Sequence, residues 1–129
     1  MPEPNLPRPT DAELEILKVL WRRGPSTVRE VFEALSEARG TGYTTVLKLM
    51  QIMADKGLVK RDEGERAHRY EAALAEDETQ RQLVGDLLRK AFDGSAKNLV
   101  LQALSSERAS AEELAEIRRM LDELERGVR

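Results

Sequence analysis

The chain contains no cysteine, which removes disulfides, thiolate metal sites and a cysteine nucleophile together. Aromatic residues make up 4% of its 129 residues and charged residues 35%, a balance that favours helices with solvated faces over a β-sandwich. His68 is the single histidine; in the middle of a polar strand candidate it reads as a solvated or packing residue, neither ligand nor base. Long apolar runs are missing as well. The longest stretch without a charge is residues 98–106, less than half of the ~20 residues needed to span a bilayer. The opening residues, Met1-Pro2-Glu3-Pro4-Asn5-Leu6-Pro7-Arg8-Pro9, lack the basic start and apolar core of a signal peptide. The expectation is a soluble, cytoplasmic protein with no metal or other cofactor and no direct membrane insertion. An enzyme is not expected either. Gly40-Thr41-Gly42 follows a helix and lacks the third glycine of a dinucleotide loop, and the carboxylates stand at helical spacings from Lys or Arg, as solvated faces do.

Net charge is −3, which argues against indiscriminate attraction to nucleic acid. Its distribution is uneven. Residues 1–72 hold 12 Lys and Arg against 12 Asp and Glu, and residues 73–129 hold 9 against 12. Within the neutral part, residues 41–61 carry Lys48, Lys56, Lys60 and Arg61 against Asp55 alone, a local excess of positive charge where contact distances matter more than the sum.

What is present is a succession of amphipathic helices with explicit start signals. After a leader of residues 1–9, Thr10-Asp11-Ala12-Glu13 is a capping box opening a helix that runs to about Arg23 and stops at Gly24-Pro25. Leu14, Leu17, Leu20 and Trp21 line one face and Ala12, Ile16 and Val19 another, so the helix is expected to pack on two sides, with Trp21 as a core anchor. Thr27-Val28-Arg29-Glu30 opens a second helix, to about Ala38, with Val31, Phe32 and Leu35 inward. A turn at Arg39-Gly40-Thr41-Gly42 leads to a third helix, 43–56, closed by Gly57 as a left-handed C-cap. At 100° per residue, Tyr43, Val46, Leu47, Met50, Met53 and Ala54 share an apolar arc. Thr44, Thr45, Lys48, Gln51, Asp55 and Lys56 face the other way, with Ile52 as the apolar intruder. An ordinary solvated face shows the same pattern, so the neighbours decide. Leu58-Val59-Lys60-Arg61 and Ala67-His68-Arg69-Tyr70-Glu71 flank a polar, glycine-containing tip and read as a hairpin. Three helices and a hairpin give a winged helix-turn-helix domain over residues 10–75. The fold class is mainly α with a small β-hairpin, extended by a C-terminal helical region.

On that fold the outward side chains acquire roles. Thr44 and Thr45 suit phosphates or a thymine methyl, and Lys48 and Gln51 suit base edges. Lys60, Arg61 and Arg66 of the hairpin suit the backbone, and the Tyr43 hydroxyl at the helix start reaches towards a phosphate. Residues 76–129 hold three more helices. Asp77-Glu78-Thr79-Gln80 caps the first, striped with Leu83, Val84, Leu87, Leu88, Ala91 and Phe92 and broken at Asp93-Gly94-Ser95. A short apolar helix follows over 98–104, with Leu99, Val100, Leu101 and Leu104. Ser110-Ala111-Glu112-Glu113 opens the last, in which Leu114, Ile117, Leu121 and Leu124 form an a/d seam. A segment of this size rarely buries enough surface alone. A second copy of the chain is the expected partner, through Leu83, Leu87, Leu88, Leu99, Leu101, Leu114, Ile117, Leu121 and Leu124.

Four blocks resemble the BlaI/MecI family of penicillinase repressors: Thr10 to Trp21, Pro25 to Val31, Tyr43 to Leu47 and Lys56 to Val59. The similarity continues through Ala91-Phe92-Asp93-Gly94-Ser95, so it covers nearly the whole chain. It implies a homodimeric repressor that binds double-stranded operator DNA, palindromic in sequence, through the third helix and wing. It also implies derepression through a transmembrane sensor-protease pathway that ends in a cut within the C-terminal region. The position corresponds here to Gln102-Ala103, where the best-known members have Asn-Phe. The copper-responsive branch uses cysteine, which this chain lacks. Two other readings stand beside this one. A small-molecule-responsive winged-helix repressor would need a ligand to change its operator affinity. A winged helix serving protein assembly would show no salt-dependent affinity for duplex DNA.

Overall fold

The computed structural model describes residues 7–64 and 68–127. The elements run α1 (Asp11–Arg23), α2 (Val28–Arg39), α3 (Tyr43–Lys56), β1 (Val59–Asp62), β2 (Arg69–Ala72), α4 (Glu76–Ala91), α5 (Ala96–Ser106) and α6 (Ala111–Glu125). They divide into two compact units, Met1–Gly85 and Asp86–Arg129. The division falls inside α4, later in the chain than the expected boundary after residue 75.

In the first unit the helix starts form as the sequence signals require. Thr10 Oγ1 accepts from the Glu13 N–H at 3.2 Å, and the Thr10 N–H donates to Glu13 Oε1 at 2.9 Å. Thr27 and Glu30 repeat the arrangement at 3.1 and 2.9 Å. Each box satisfies two backbone or side-chain groups that would otherwise face water alone. At the end of α3, Gly57 sits at φ 85° and ψ 13°, a left-handed conformation that costs a side-chain-bearing residue more. This lets Leu58 N–H return to the Met53 carbonyl at 2.9 Å, turning the chain into the hairpin.

β1 and β2 pair antiparallel in the register Val59–Ala72, Lys60–Glu71, Arg61–Tyr70 and Asp62–Arg69. The strands sit slightly later than the sequence suggests, because Leu58 is used in the helix cap. A third pairing joins them that the sequence does not announce. Ser26, in the turn between α1 and α2, exchanges both backbone hydrogen bonds with Tyr70, at 2.9 and 2.8 Å. The hairpin is thereby stitched to the helices, and the unit is a winged helix-turn-helix.

The core behind it is made by Ile16, Leu17, Val19 and Leu20 of α1, Val28, Val31 and Leu35 of α2, and Val46, Met50 and Met53 of α3, closed by Leu58, Val59 and Tyr70. α1 is packed on two sides as expected. Trp21 is partly buried against this cluster and its indole N–H donates to the Leu74 carbonyl at 3.0 Å. Tyr43 departs from the expected inward arc. It is 37% exposed, because the first turn of α3 projects beyond the core, and its ring meets Phe32 edge-on at 5.6 Å.

Glu13 does more than cap. Its carboxylate, 3% exposed, also receives Lys56 Nζ at 2.7 Å from the far end of α3. Burial by itself pushes this carboxyl up. The Lys56 and Thr10 hydrogen bonds, with the Lys56 charge, outweigh it and hold the group below its ordinary value of 4.5. A carboxyl with a depressed folded pKa adds stability that is complete above the unfolded value and lost as pH falls through the folded one. The stability gap between the native chain and Glu13→Gln, read by urea unfolding, should therefore shrink as pH drops from about 6 to below about 4. A gap independent of pH would dissociate Glu13 from acid sensitivity.

In the second unit the turn after α4 is made by Asp93 and Gly94, with φ 50° and 80°, and the Gly94 N–H returns to Leu88 O at 2.9 Å. Ser95 then caps α5 and Ser110 caps α6 through their hydroxyls. α5 is longer at both ends than the expected 98–104, and the Ser95 cap, not the apolar run, sets its start. The start of α4 is also two residues earlier than expected: Glu78 reaches back to the Ala75 N–H at 3.0 Å, so Asp77 lies inside the helix. Among the described residues none after Thr79 is buried.

Candidate nucleic-acid interface

The outward face of α3 is where sequence and geometry agree. Thr44, Thr45, Lys48 and Gln51 are all exposed, opposite the buried Val46, Met50 and Met53. The face exists because those three anchors return every three or four residues and hold one side of the helix down. Lys48 makes no hydrogen bond or ion pair among the described residues. Ile52, the intruder, is 41% exposed on the same face.

The helix also begins openly. Its N-cap is Gly42, which has no side chain to donate oxygen, and no acidic residue lies in the first turn. The N–H groups of Tyr43, Thr44 and Thr45 therefore lack the partners that Thr10, Thr27, Ser95 and Ser110 supply elsewhere. Together with the positive end of the helix dipole they form a place suited to an anion.

The charges around this face are rearranged relative to the sequence sum. Lys56 is engaged by Glu13 and does not add to the field of the outward face. Arg61 is held by Glu63 at 2.6 Å. Its pKa is raised first by the Tyr70 hydroxyl and then by Glu63. Arg69 reaches Glu30 at 3.4 Å, beside Arg23 at 3.8 Å; the Thr27 N–H, then these two cations, keep Glu30 below the usual carboxylate range. Lys60 is exposed on β1. Arg66 lies outside the described residues. His68 is exposed, in keeping with a solvated role.

Arg29 is absent from the expectations drawn from sequence. It is exposed on the first turn of α2, with its guanidinium carbon 4.8 Å from the Tyr43 ring centroid and 5.8 Å from that of Phe32. The i, i+3 spacing of Arg29 and Phe32 is the trace of this in the sequence, but nothing local says that Tyr43 of the next helix completes the cluster. Arg29, Tyr43, Gln51, Arg61 and His68 line a cleft of about 320 Å³ between the start of α2, the flank of α3 and the hairpin.

In the second unit apolar side chains stand on the helix surfaces. Leu87 is 49% exposed, Leu101 55%, Leu121 56% and Leu124 60%, and Leu88, Leu99, Leu114 and Ile117 are half-buried, as is Leu83 in the first unit. Gln102 and Ala103 are exposed within α5. No helix among the described residues is long and apolar enough to cross a membrane.

Known proteins are similar to this chain along most of its length. A family model described as penicillinase repressor matches residues 9–123. The transcriptional regulator BlaI of Mycobacterium tuberculosis H37Rv is 41% identical over 124 residues, covering 95% of this chain and 89% of that protein. A penicillinase repressor of Bacillus licheniformis is 25% identical over 119 residues, 92% of this chain and 93% of that one. Two solution structures are similar in fold, each with a TM-score of 0.50 and 26% identity. One is the DNA-binding domain of the repressor BlaI, covering 59% of this chain and 90% of that domain. The other is the monomeric form of Bacillus licheniformis BlaI in complex with the blaP half-operator, covering 56% and 88%.

Proposed function

The chain belongs to the penicillinase repressor family, and from that premise we propose that it represses transcription as a homodimer seated on a palindromic operator, reading it with α3. The observation that carries this is the open start of α3 leading into an exposed Thr44, Thr45, Lys48 and Gln51 stripe. An unsatisfied helix N-terminus with two hydroxyls suits a phosphate, and the longer Lys48 and Gln51 side chains extend from the same face towards base edges. The Tyr43 hydroxyl, Lys60, Arg61 and Arg66 serve the backbone on either side. Arg61 does so at the cost of sharing its charge with Glu63.

Dimerisation rests on the second unit. Its helices expose Leu87, Leu101, Leu121 and Leu124 by about half or more of their surface. A second copy of the same stripe is the economical cover, and two-fold symmetry places two reading helices about 34 Å apart on one duplex. Derepression is assigned to a cut at Gln102–Ala103. That position is exposed in α5, and severing it would strip α6 from the reader and dissolve the gain from joining two half-site contacts.

Binding of the purified chain to duplexes selected from a random pool tests the reading. A recovered palindrome whose affinity falls steeply with salt supports it. Equal, salt-insensitive affinity for every duplex overturns it. On the recovered operator, Lys48→Ala should cost about 1–3 kcal/mol and relax preference at one base position. If operator and random duplex lost affinity by the same factor, Lys48 would be a phosphate contact.

A further inference from the structure

The cleft beside α3 has a character that the reading face alone does not explain. Its lining brings together Arg29, Gln51, Arg61 and His68 and includes no carboxylate among the described residues. Arg61 is already paired with Glu63. Arg29 makes no ion pair among the described residues. We infer that this cleft seats one backbone phosphodiester of the bound duplex, with Arg29 as its cationic ligand; the inference rests on the operator reading above and adds a specific anchor to it.

The reason is topological as well as chemical. A helix lying in a major groove has a sugar–phosphate strand along each side. On the side of α3 that faces the hairpin, the strand must pass between Gln51 and His68, which is where the cleft opens. Arg29 stands at its α2 wall. The guanidinium carbon lies over the Tyr43 and Phe32 rings, 4.8 and 5.8 Å from their centroids, a cation–π contact that uses the ring faces and ties up none of the N–H groups. An arginine held in that way loses less rotamer freedom on meeting a phosphate than one waving in solvent. Gln51 and His68 line the rim of the cleft. Tyr43 is then a positioning residue for Arg29.

The full chain and its selected operator test this. Arg29→Ala should weaken operator and random duplex by the same factor, about tenfold, and lower the slope of log affinity against log salt by about 1 per half-site. Arg29→Lys should keep the slope yet recover only part of the affinity, because an ammonium neither stacks nor forks as guanidinium does. A neutral methylphosphonate scanned along the operator backbone should weaken the native chain at one position in each half-site where Arg29→Ala is indifferent. This arm is independent of any effect of substitution on folding, since it alters only the DNA. An unchanged salt slope in Arg29→Ala, or the absence of any backbone position where native and variant chains respond differently, overturns the phosphate site. Failure of the native chain to show salt-dependent duplex binding overturns the operator reading itself.

Discussion

Replacing Leu121 and Leu124 together by glutamate should convert the protein to a monomer that binds a single half-site normally and the full operator at least about 100-fold more weakly. The two leucines are 56% and 60% exposed on α6, so the isolated chain gains little from them. On pairing, each would remove an apolar side chain from water, worth about 1.5–3 kcal/mol per fully buried leucine. Introduced carboxylates would meet their symmetry mates across the two-fold seam and would have to be desolvated as well. The reading domain is untouched, which is why half-site affinity serves as the control. Affinity for the palindrome collapses because the second contact no longer benefits from being tethered to the first. Sedimentation and operator titration measure the two outcomes separately. A variant that stays dimeric, or a monomer with undiminished affinity for the palindrome, would remove α6 from the assembly.

Met50→Ala should have the largest effect on stability, about 2–5 kcal/mol. Met50 is fully buried between Val46 and Met53 on the inward side of α3, and truncation leaves a void in the close-packed core cluster that cannot close without shifting its neighbours. At about 4–8 °C per kcal/mol for a domain of this size, thermal unfolding of the winged unit should fall by roughly ten degrees or more. Operator affinity at a temperature well below the transition should change far less, because the outward stripe does not include Met50. A melting point within about 2 °C of the native value would mean that the core repacks around the loss.

Much of this architecture is written in short-range signals. Thr10 with Glu13, Thr27 with Glu30, Ser110 ahead of Glu113 and Gly57 after Lys56 mark helix ends through hydrogen bonds spanning a few residues. Those bonds form for local reasons whatever the rest of the chain does. The apolar period of α3 likewise fixes which side faces out. The features missing from the sequence reading are those made by residues far apart in the chain. Lys56 and Glu13 are 43 positions apart, and only the crossing of α1 and α3 converts an apparent surface cation into the partner of a buried acid. The Ser26–Tyr70 pairing is a single backbone exchange, too short to leave any alternation. The α4 start moved because Glu78 satisfied Ala75, a box without a Ser or Thr to announce it. Arg29 became visible only when Tyr43 from another helix lay beneath it.

The lone tryptophan of the chain gives the molecule a native optical reporter. Its indole N–H is tied to Leu74, just past β2. Emission from Trp21 therefore registers whether the segment leaving the hairpin is still docked, without a dye and without a base stacked against the fluorophore. A titration that altered anisotropy of labelled DNA but left that emission still would show the reader engaging its target as a preformed, rigid body.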